Sequence, residues 1–165
     1  MGLLVLVPRH PERAAEVGTT LEGRGLPFVR RSFLDGAPSP SVGDVLLVDT
    51  IGELMNLYAL SDVVFVGGSL VPVGGHNLLE PASVGAPVLF GPHMHNFREI
   101  TALVLAAGSG EQIQGRPELE IALRRLLADE AARQAMGECG IRLMAEQGGA
   151  AARHLEIIGR FLGEV

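Results

Sequence analysis

The chain has 165 residues, of which 47% are hydrophobic and 19% charged, and its formal net charge is −6. This composition is typical of one globular domain and excludes a disordered tail. All 13 positively charged side chains are arginines and there is one cysteine, which argues against a polybasic surface for nucleic acid, an internal disulfide and a cysteine-rich zinc site.

Short runs rich in Val, Leu and Ile alternate with helical patterns, which is typical of a parallel sheet covered by helices on both faces. Each run is too apolar for a strand with one solvated face. Strands are predicted at Leu3–Val7, Pro27–Arg30, Val45–Val48, Val63–Val66 and Pro87–Phe90. Helices are predicted at Glu12–Arg24, Glu53–Leu60 and Asn77–Val84, with Gly25 and Gly85 as terminators.

The C-terminal third is predicted to be helical, starting with Phe97–Ala107. After it, no strand-like run is longer than Glu111–Ile113. Apolar residues recur at helical spacing through Leu143 and again at Leu155, Ile158 and Leu162, and Cys139 is predicted to be a buried core thiol. The segment Asp35–Gly43 is predicted to be a surface loop. No signal peptide or membrane-spanning segment is predicted.

In open parallel sheets, ligands bind at the carboxyl ends of the strands, so the loops that follow the strands are candidate sites. The most informative one follows strand four, where two Gly-Gly pairs lead into a helix. Its glycines Gly67, Gly68, Gly74 and Gly75 allow a ligand to approach the backbone. Free amides at Gly74, Gly75 and His76, with the helix dipole, would bind an anion.

Two charged side chains in these loops each have two interpretations. Arg9, on a short loop after strand one, either captures a phosphate or carboxylate or pairs with Glu12 or Glu16. Glu80 either accepts hydrogen bonds from a ribose diol or complements the helix dipole.

Other polar residues have weaker signals. Thr50 is predicted to cap the helix that begins near Glu53, while the backbone of Ile51 and Gly52 can edge a base. Ser69 lacks the surroundings of a nucleophile elbow. The three histidines at 76, 93 and 95 lack a matching carboxylate pattern, so no metal is predicted.

The motifs in these loops resemble, in order and over nearly the whole chain, those of the 3-deoxy-D-manno-octulosonic acid (Kdo) transferases. They are Pro8-Arg9-His10-Pro11-Glu12-Arg13, Asp49-Thr50-Ile51-Gly52-Glu53-Leu54, the segment from Phe65 to Pro81, Gly91-Pro92-His93 and Asn96-Phe97. The resemblance implies a Rossmann-like, doubly wound α/β fold, namely the C-terminal, donor-binding domain of a GT-B glycosyltransferase.

The family resemblance also implies an inverting, metal-independent enzyme that needs no cofactor and transfers Kdo from CMP-Kdo to a lipid A precursor at the cytoplasmic face of the inner membrane. Only the C-terminal half is matched. The catalytic base is therefore expected in an N-terminal domain outside this chain. By itself, this chain is expected to be soluble and to bind CMP or CMP-Kdo without transferring Kdo.

The resemblance assigns substrate-binding roles to individual residues. Arg9 would bind the CMP phosphate, Ile51 and Gly52 the cytosine, and Glu80 the ribose, with Asn77 beside it. The turn from Gly67 to His76, which includes Gly68, Ser69, Gly74 and Gly75, would approach the phosphate and the sugar carboxylate. His93 and Asn96 are placed only at the rim, and His95 departs from the family pattern.

Two alternatives to a Kdo transferase stay open at this point. One is another GT-B enzyme that uses a UDP-sugar. The other is a non-catalytic binding module of doubly wound fold.

Overall fold

The computed structural model describes residues 2–34 and 40–161, with side chains up to residue 148. The chain divides into two compact units, Met1–Leu57 and Tyr58–Val165. Each unit contains a parallel three-stranded sheet with helices, so the predicted α/β class is confirmed. The centre of the predicted 35–43 loop and the side chains of Leu155, Ile158 and Leu162 lie outside the described residues. That the whole chain forms one domain stays a prediction.

The first unit contains the strands β1 (Leu4–Leu6), β2 (Phe28–Arg30) and β3 (Val45–Leu47). Strand β3 lies in the centre and pairs in parallel with both neighbours. A short 3-10 turn, which begins at a proline, leads into helix α1 (Ala14–Gly23). Helix α2 (Leu54–Ala59) contains the boundary between the two units.

The prediction that every strand is buried on both faces is wrong for β1 and β2 in this unit, and also for the strand Val64–Val66 of the second unit, where Phe65 is 37% exposed. Strand β3 is fully buried, but Leu4 of β1 is 54% exposed and all of β2 is half-buried. The reason is position, because β1 and β2 are the two edges of this sheet and β3 is its centre. Apolar composition predicted the strands but not which of them occupies the centre.

The second unit contains β4 (Val64–Val66), β5 (Val88–Phe90) and β6 (Gly110–Gln112), with the buried strand β5 in the centre. Strand β6 comes from the short run noted above and pairs in parallel with β5. The helices are α3 (Leu79–Ser83), α4 (Arg98–Ala107), α5 (Arg116–Ala128) and α6 (Glu130–Phe161). None of the helices in the described part of the chain is long and apolar enough to cross a membrane.

Helix α6 packs closely on α3 through two glycines. A β-carbon added at Gly137 would lie 2.2 Å from the carbonyl oxygen of Gly85, and one at Gly140 would lie 2.6 Å from that of Ala82. Leu143, one turn further along α6, is buried in the core. Cys139 lies beside this contact and is half-buried, so the prediction of a fully buried thiol is wrong.

Candidate functional site

Arg9 lies on the loop that leaves β1, at the carboxyl edge of the first sheet. Its side chain is exposed and has no ion pair among the described residues. The carboxylate of Glu16 instead accepts hydrogen bonds from Arg13 at 3.0 and 3.1 Å, and Glu12 lies 3.6 Å from Nδ1 of His10. The alternative that pairs Arg9 with either carboxylate is therefore not observed. The guanidinium is available to an external anion.

Side-chain hydrogen bonds connect both ends of the loop after β3 to the segment that follows β2. Asp49 accepts hydrogen bonds from the backbone N–H and hydroxyl of Ser32, at 2.9 and 2.7 Å. Glu53 accepts two hydrogen bonds from Arg31, at 3.0 and 2.7 Å, and one from the hydroxyl of Thr50. Thr50 thus binds a carboxylate rather than a helix N–H group, so its predicted role as a cap is wrong.

These hydrogen bonds set the charge of both carboxylates. The hydrogen bond from Thr50 lowers the pKa of Glu53, and Arg31 lowers it further against the opposing effect of burial. Burial raises the pKa of Asp49, but the hydrogen bonds from Ser32 outweigh it and the net pKa is lowered. Both groups are therefore charged near neutral pH, and both ends of the loop are fixed.

Between the two fastened ends, the loop presents Ile51 and Gly52 to solvent. The side chain of Ile51 is 86% exposed, and Gly52 has a φ of +92°, a conformation that side chains other than glycine rarely adopt. An exposed aliphatic side chain next to open backbone is suited to contacting the face and edge of a base. The role of these two residues in cytosine binding stays a prediction.

Acid should remove the stabilisation that Glu53 supplies. The pKa of Glu53 is lower in the folded state than in the unfolded state. Its contribution to the stability of the fold is therefore present at neutral pH and is lost as the pH falls through the folded-state pKa. We expect Glu53→Gln to lower the melting temperature at pH 7, and this difference from wild type to shrink below about pH 4. Thermal denaturation across this range measures it. Glu22→Gln, at an exposed carboxylate on α1, is the control, and a Glu53→Gln difference that does not change with pH would contradict the prediction.

In the second unit, Ser69 ties the β4 loop to the β5 loop. Its hydroxyl donates to the carbonyl oxygen of Val66 at 2.5 Å and accepts from the backbone N–H of Gly91 at 2.8 Å. Its carbonyl oxygen accepts from the N–H of His93 at 2.9 Å. The side chain is fully buried. The predicted contact between Ser69 and the substrate therefore does not involve the hydroxyl, whose role here is structural.

The second Gly-Gly pair is filled by neighbouring side chains. A β-carbon at Gly74 would lie 2.1 Å from Nδ2 of Asn96, and one at Gly75 would lie 2.2 Å from Sδ of Met94. The N–H of Gly75 donates to the carbonyl oxygen of Gly68 at 3.0 Å. The N–H of Gly75 is therefore not free, and the predicted row of three free amides at Gly74, Gly75 and His76 is interrupted at its centre. By contrast, Gly67 is exposed, with open space where a side chain would be.

Glu80 lies on the first turn of α3, and Asn77 fixes its orientation. The side chain of Asn77 accepts the N–H of Leu79 at 3.1 Å and donates to Oε1 of Glu80 at 3.3 Å. The helix has only five residues and begins at Leu79 rather than at Asn77, so the predicted contribution of its dipole is small. The half-buried carboxylate keeps Oε2 without a hydrogen bond among the described residues.

Tyr58 is a residue near Glu80 that the sequence analysis did not single out. Burial raises the pKa of its phenol, and the charge of Glu80 raises it further. The ring packs against the core of the second unit. The phenol therefore stays neutral at physiological pH. The sequence could have drawn attention to Tyr58 only because it is the single tyrosine of the chain.

The structure thus gathers the predicted residues at the carboxyl edges of two separate sheets. Arg9, Ile51 and Gly52 belong to the first unit, and the segment from Gly67 to Glu80 belongs to the second. No group of three or more His, Cys, Asp or Glu side chains is placed to hold a metal ion in residues 2–34 and 40–148.

The chain is similar to curated proteins and to a solved structure, whereas no family model matches it. It is 43% identical over 162 residues to 3-deoxy-D-manno-octulosonic acid transferase from Bordetella pertussis, which covers 98% of this chain and 37% of that protein. The transferase of the same name from Haemophilus influenzae is 39% identical, with 97% of this chain and 37% of that protein covered. This chain therefore spans little more than a third of these relatives.

The structural comparison agrees with the sequence comparison. The crystal structure of the C-terminal CMP-Kdo binding domain of WaaA from Acinetobacter baumannii matches with a TM-score of 0.78 and 35% identity. The match covers 85% of this chain and 72% of that domain. At this identity and coverage, the similarity extends beyond the general fold.

Proposed function

Because the chain belongs to the Kdo transferase family, we propose that it binds the donor CMP-Kdo within a longer enzyme. The observation that carries this proposal is the match to a solved CMP-Kdo binding domain. The comparisons favour this function over the UDP-sugar and non-catalytic alternatives. The remaining part of the enzyme would supply the catalytic base and bind the lipid A precursor at the cytoplasmic face of the inner membrane.

In this proposal, each described loop contacts one part of CMP. Arg9 binds the phosphate, Ile51 and Gly52 contact the cytosine, and Glu80 accepts the ribose hydroxyls. The open backbone at Gly67 gives the donor its closest approach to the β4 loop, because the space at Gly74 and Gly75 is taken. Negative charge builds on the departing CMP during transfer, and the unpaired guanidinium of Arg9 stabilises it.

A substitution at Glu80 tests whether this residue recognises the nucleotide or has a purely structural role. Glu80→Gln keeps the shape but replaces one acceptor oxygen with an amide. If Glu80 accepts both ribose hydroxyls, affinity for CMP should fall severalfold, and affinity for 2′-deoxy-CMP should fall less, because that ligand has already lost one hydrogen bond. Calorimetric titration of both ligands against wild type and variant measures the difference.

Glu130→Gln is the matched control for this experiment. Glu130 also lies on the first turn of a helix, and its carboxylate also accepts a side-chain amide, from Gln134 at 3.1 Å. This variant should leave both affinities unchanged. Equal losses for CMP and 2′-deoxy-CMP in Glu80→Gln would reject the ribose assignment, and absence of CMP binding by the wild-type chain would reject the proposed function.

A further inference from the structure

A cavity of about 320 Å³ lies in the second unit, between the β5 loop and the start of α4. Its volume is at the lower end of the range for small-molecule sites. The floor includes the buried Met94, and the wall continues onto the first turn of α4. The lining residues are Pro92, His93, Met94, His95, Arg98 and Thr101.

The polar side chains of this cavity are mainly hydrogen-bond donors, and none is a carboxylate. Arg98 is exposed and has no ion pair or hydrogen bond among residues 2–34 and 40–148. His93 and His95 each supply a ring N–H. The hydroxyl of Thr101 already donates to the carbonyl oxygen of Phe97, at 2.8 Å. The cavity therefore offers a guanidinium and two imidazoles to a ligand, and a group with several acceptor oxygens is their complement.

The same cavity shares a wall with the β4 loop. Nε2 of His95 lies 2.9 Å from the position that a β-carbon of Gly74 would take, and the side-chain amide of Asn96 donates to the carbonyl oxygen of Val73 at 3.5 Å. A ligand in the cavity therefore lies next to the loop along which the proposed function places the donor sugar.

We propose that this cavity binds an oxyanion carried by a sugar substrate, with Arg98 as its principal contact. The inference rests on the proposed function and adds a subsite to it. The proposed function already assigns the nucleotide phosphate to Arg9, so the group proposed here is a second anion, either a sugar carboxylate or a sugar phosphate. Both present oxygens in the planar or branched arrangement that a guanidinium binds with two hydrogen bonds.

The test uses the chain itself and three probes, namely free Kdo, glucosamine 1-phosphate and CMP. Binding is followed by nuclear magnetic resonance, with the ring signals of His93 and His95 as reporters. We expect at least one of the two sugar probes to shift these signals and Arg98→Gln to weaken its binding about tenfold. The matched control is Arg116→Gln, because Arg116 is likewise the exposed first residue of a helix.

The probes identify the source of the anion. Binding of Kdo alone assigns the cavity to the donor carboxylate, and binding of glucosamine 1-phosphate alone assigns it to a sugar phosphate. If neither sugar shifts the histidine signals, or if Arg98→Gln and Arg116→Gln weaken binding equally, the inference is overturned. CMP affinity, unchanged in both variants, reports on the proposed function separately.

Discussion

Gly91→Ala should lower the melting temperature of the chain by about 10 °C, which corresponds to a loss of about 3 kcal/mol for a protein of this size. Gly91 directly follows the buried strand β5, and an added β-carbon would lie 2.2 Å from the carbonyl oxygen of Ser69. The neighbouring atoms are backbone, so a rotamer change cannot relieve the overlap. The β4 and β5 loops would have to separate, which breaks the hydrogen bonds that Ser69 forms with Gly91 and His93.

Gly67→Ala is the matched control for this prediction. Gly67 lies on the β4 loop only two residues before Ser69, has no positive φ, and has no atom within 4 Å of an added β-carbon. Its variant should melt within about 1 °C of wild type, since exposed substitutions have small effects on stability. Thermal denaturation of both variants decides the question. If the two variants melt together, the close contact at Gly91 does not exist in solution.

The positions of the strands could be predicted because each buried strand requires a short, continuous apolar run. The five predicted strands match β1 to β5 within one residue at each end. Strand β6 overlaps a run that was noted as strand-like but not assigned as a strand, because Gly110–Gln112 carries no apolar side chain and is held by backbone pairing with β5. The division of the strands into two sheets could not be predicted from the sequence either. Two consecutive strands have the same apolar composition whether or not they pair with each other.

The candidate site was predictable where a residue acts alone and not where two loops meet. The exposure of Arg9 and the loop position of Ile51 follow from their places after strands. The burial of Ser69 and the filling of Gly74 depend on residues 22 positions further along the chain, Gly91 and Asn96. A glycine pair predicts that something approaches the backbone. It does not show whether this is a ligand or a neighbouring side chain.

The largest expected effect on binding comes from Arg9→Ala. If Arg9 captures the CMP phosphate, its removal should weaken CMP binding by about 1.5 to 3 kcal/mol, or about 10- to 150-fold, the range for losing a charge-assisted hydrogen bond. The melting temperature should hardly change, because Arg9 is exposed and has no ion pair in the described part of the chain. Calorimetric titration with CMP and thermal denaturation measure the two effects.

Arg13→Ala is the control that distinguishes the loss of the Arg9 guanidinium at its particular position from the loss of one positive charge in this segment. Arg13 lies four residues further along the chain and pairs with Glu16 on the surface, where solvent screens the contact. Both variants remove one positive charge from the same segment, so a general electrostatic attraction for CMP would weaken equally in the two. Only capture by the guanidinium of Arg9 predicts a large loss in Arg9→Ala together with an unchanged affinity in Arg13→Ala. Equal affinities in both variants would exclude Arg9 from the phosphate site.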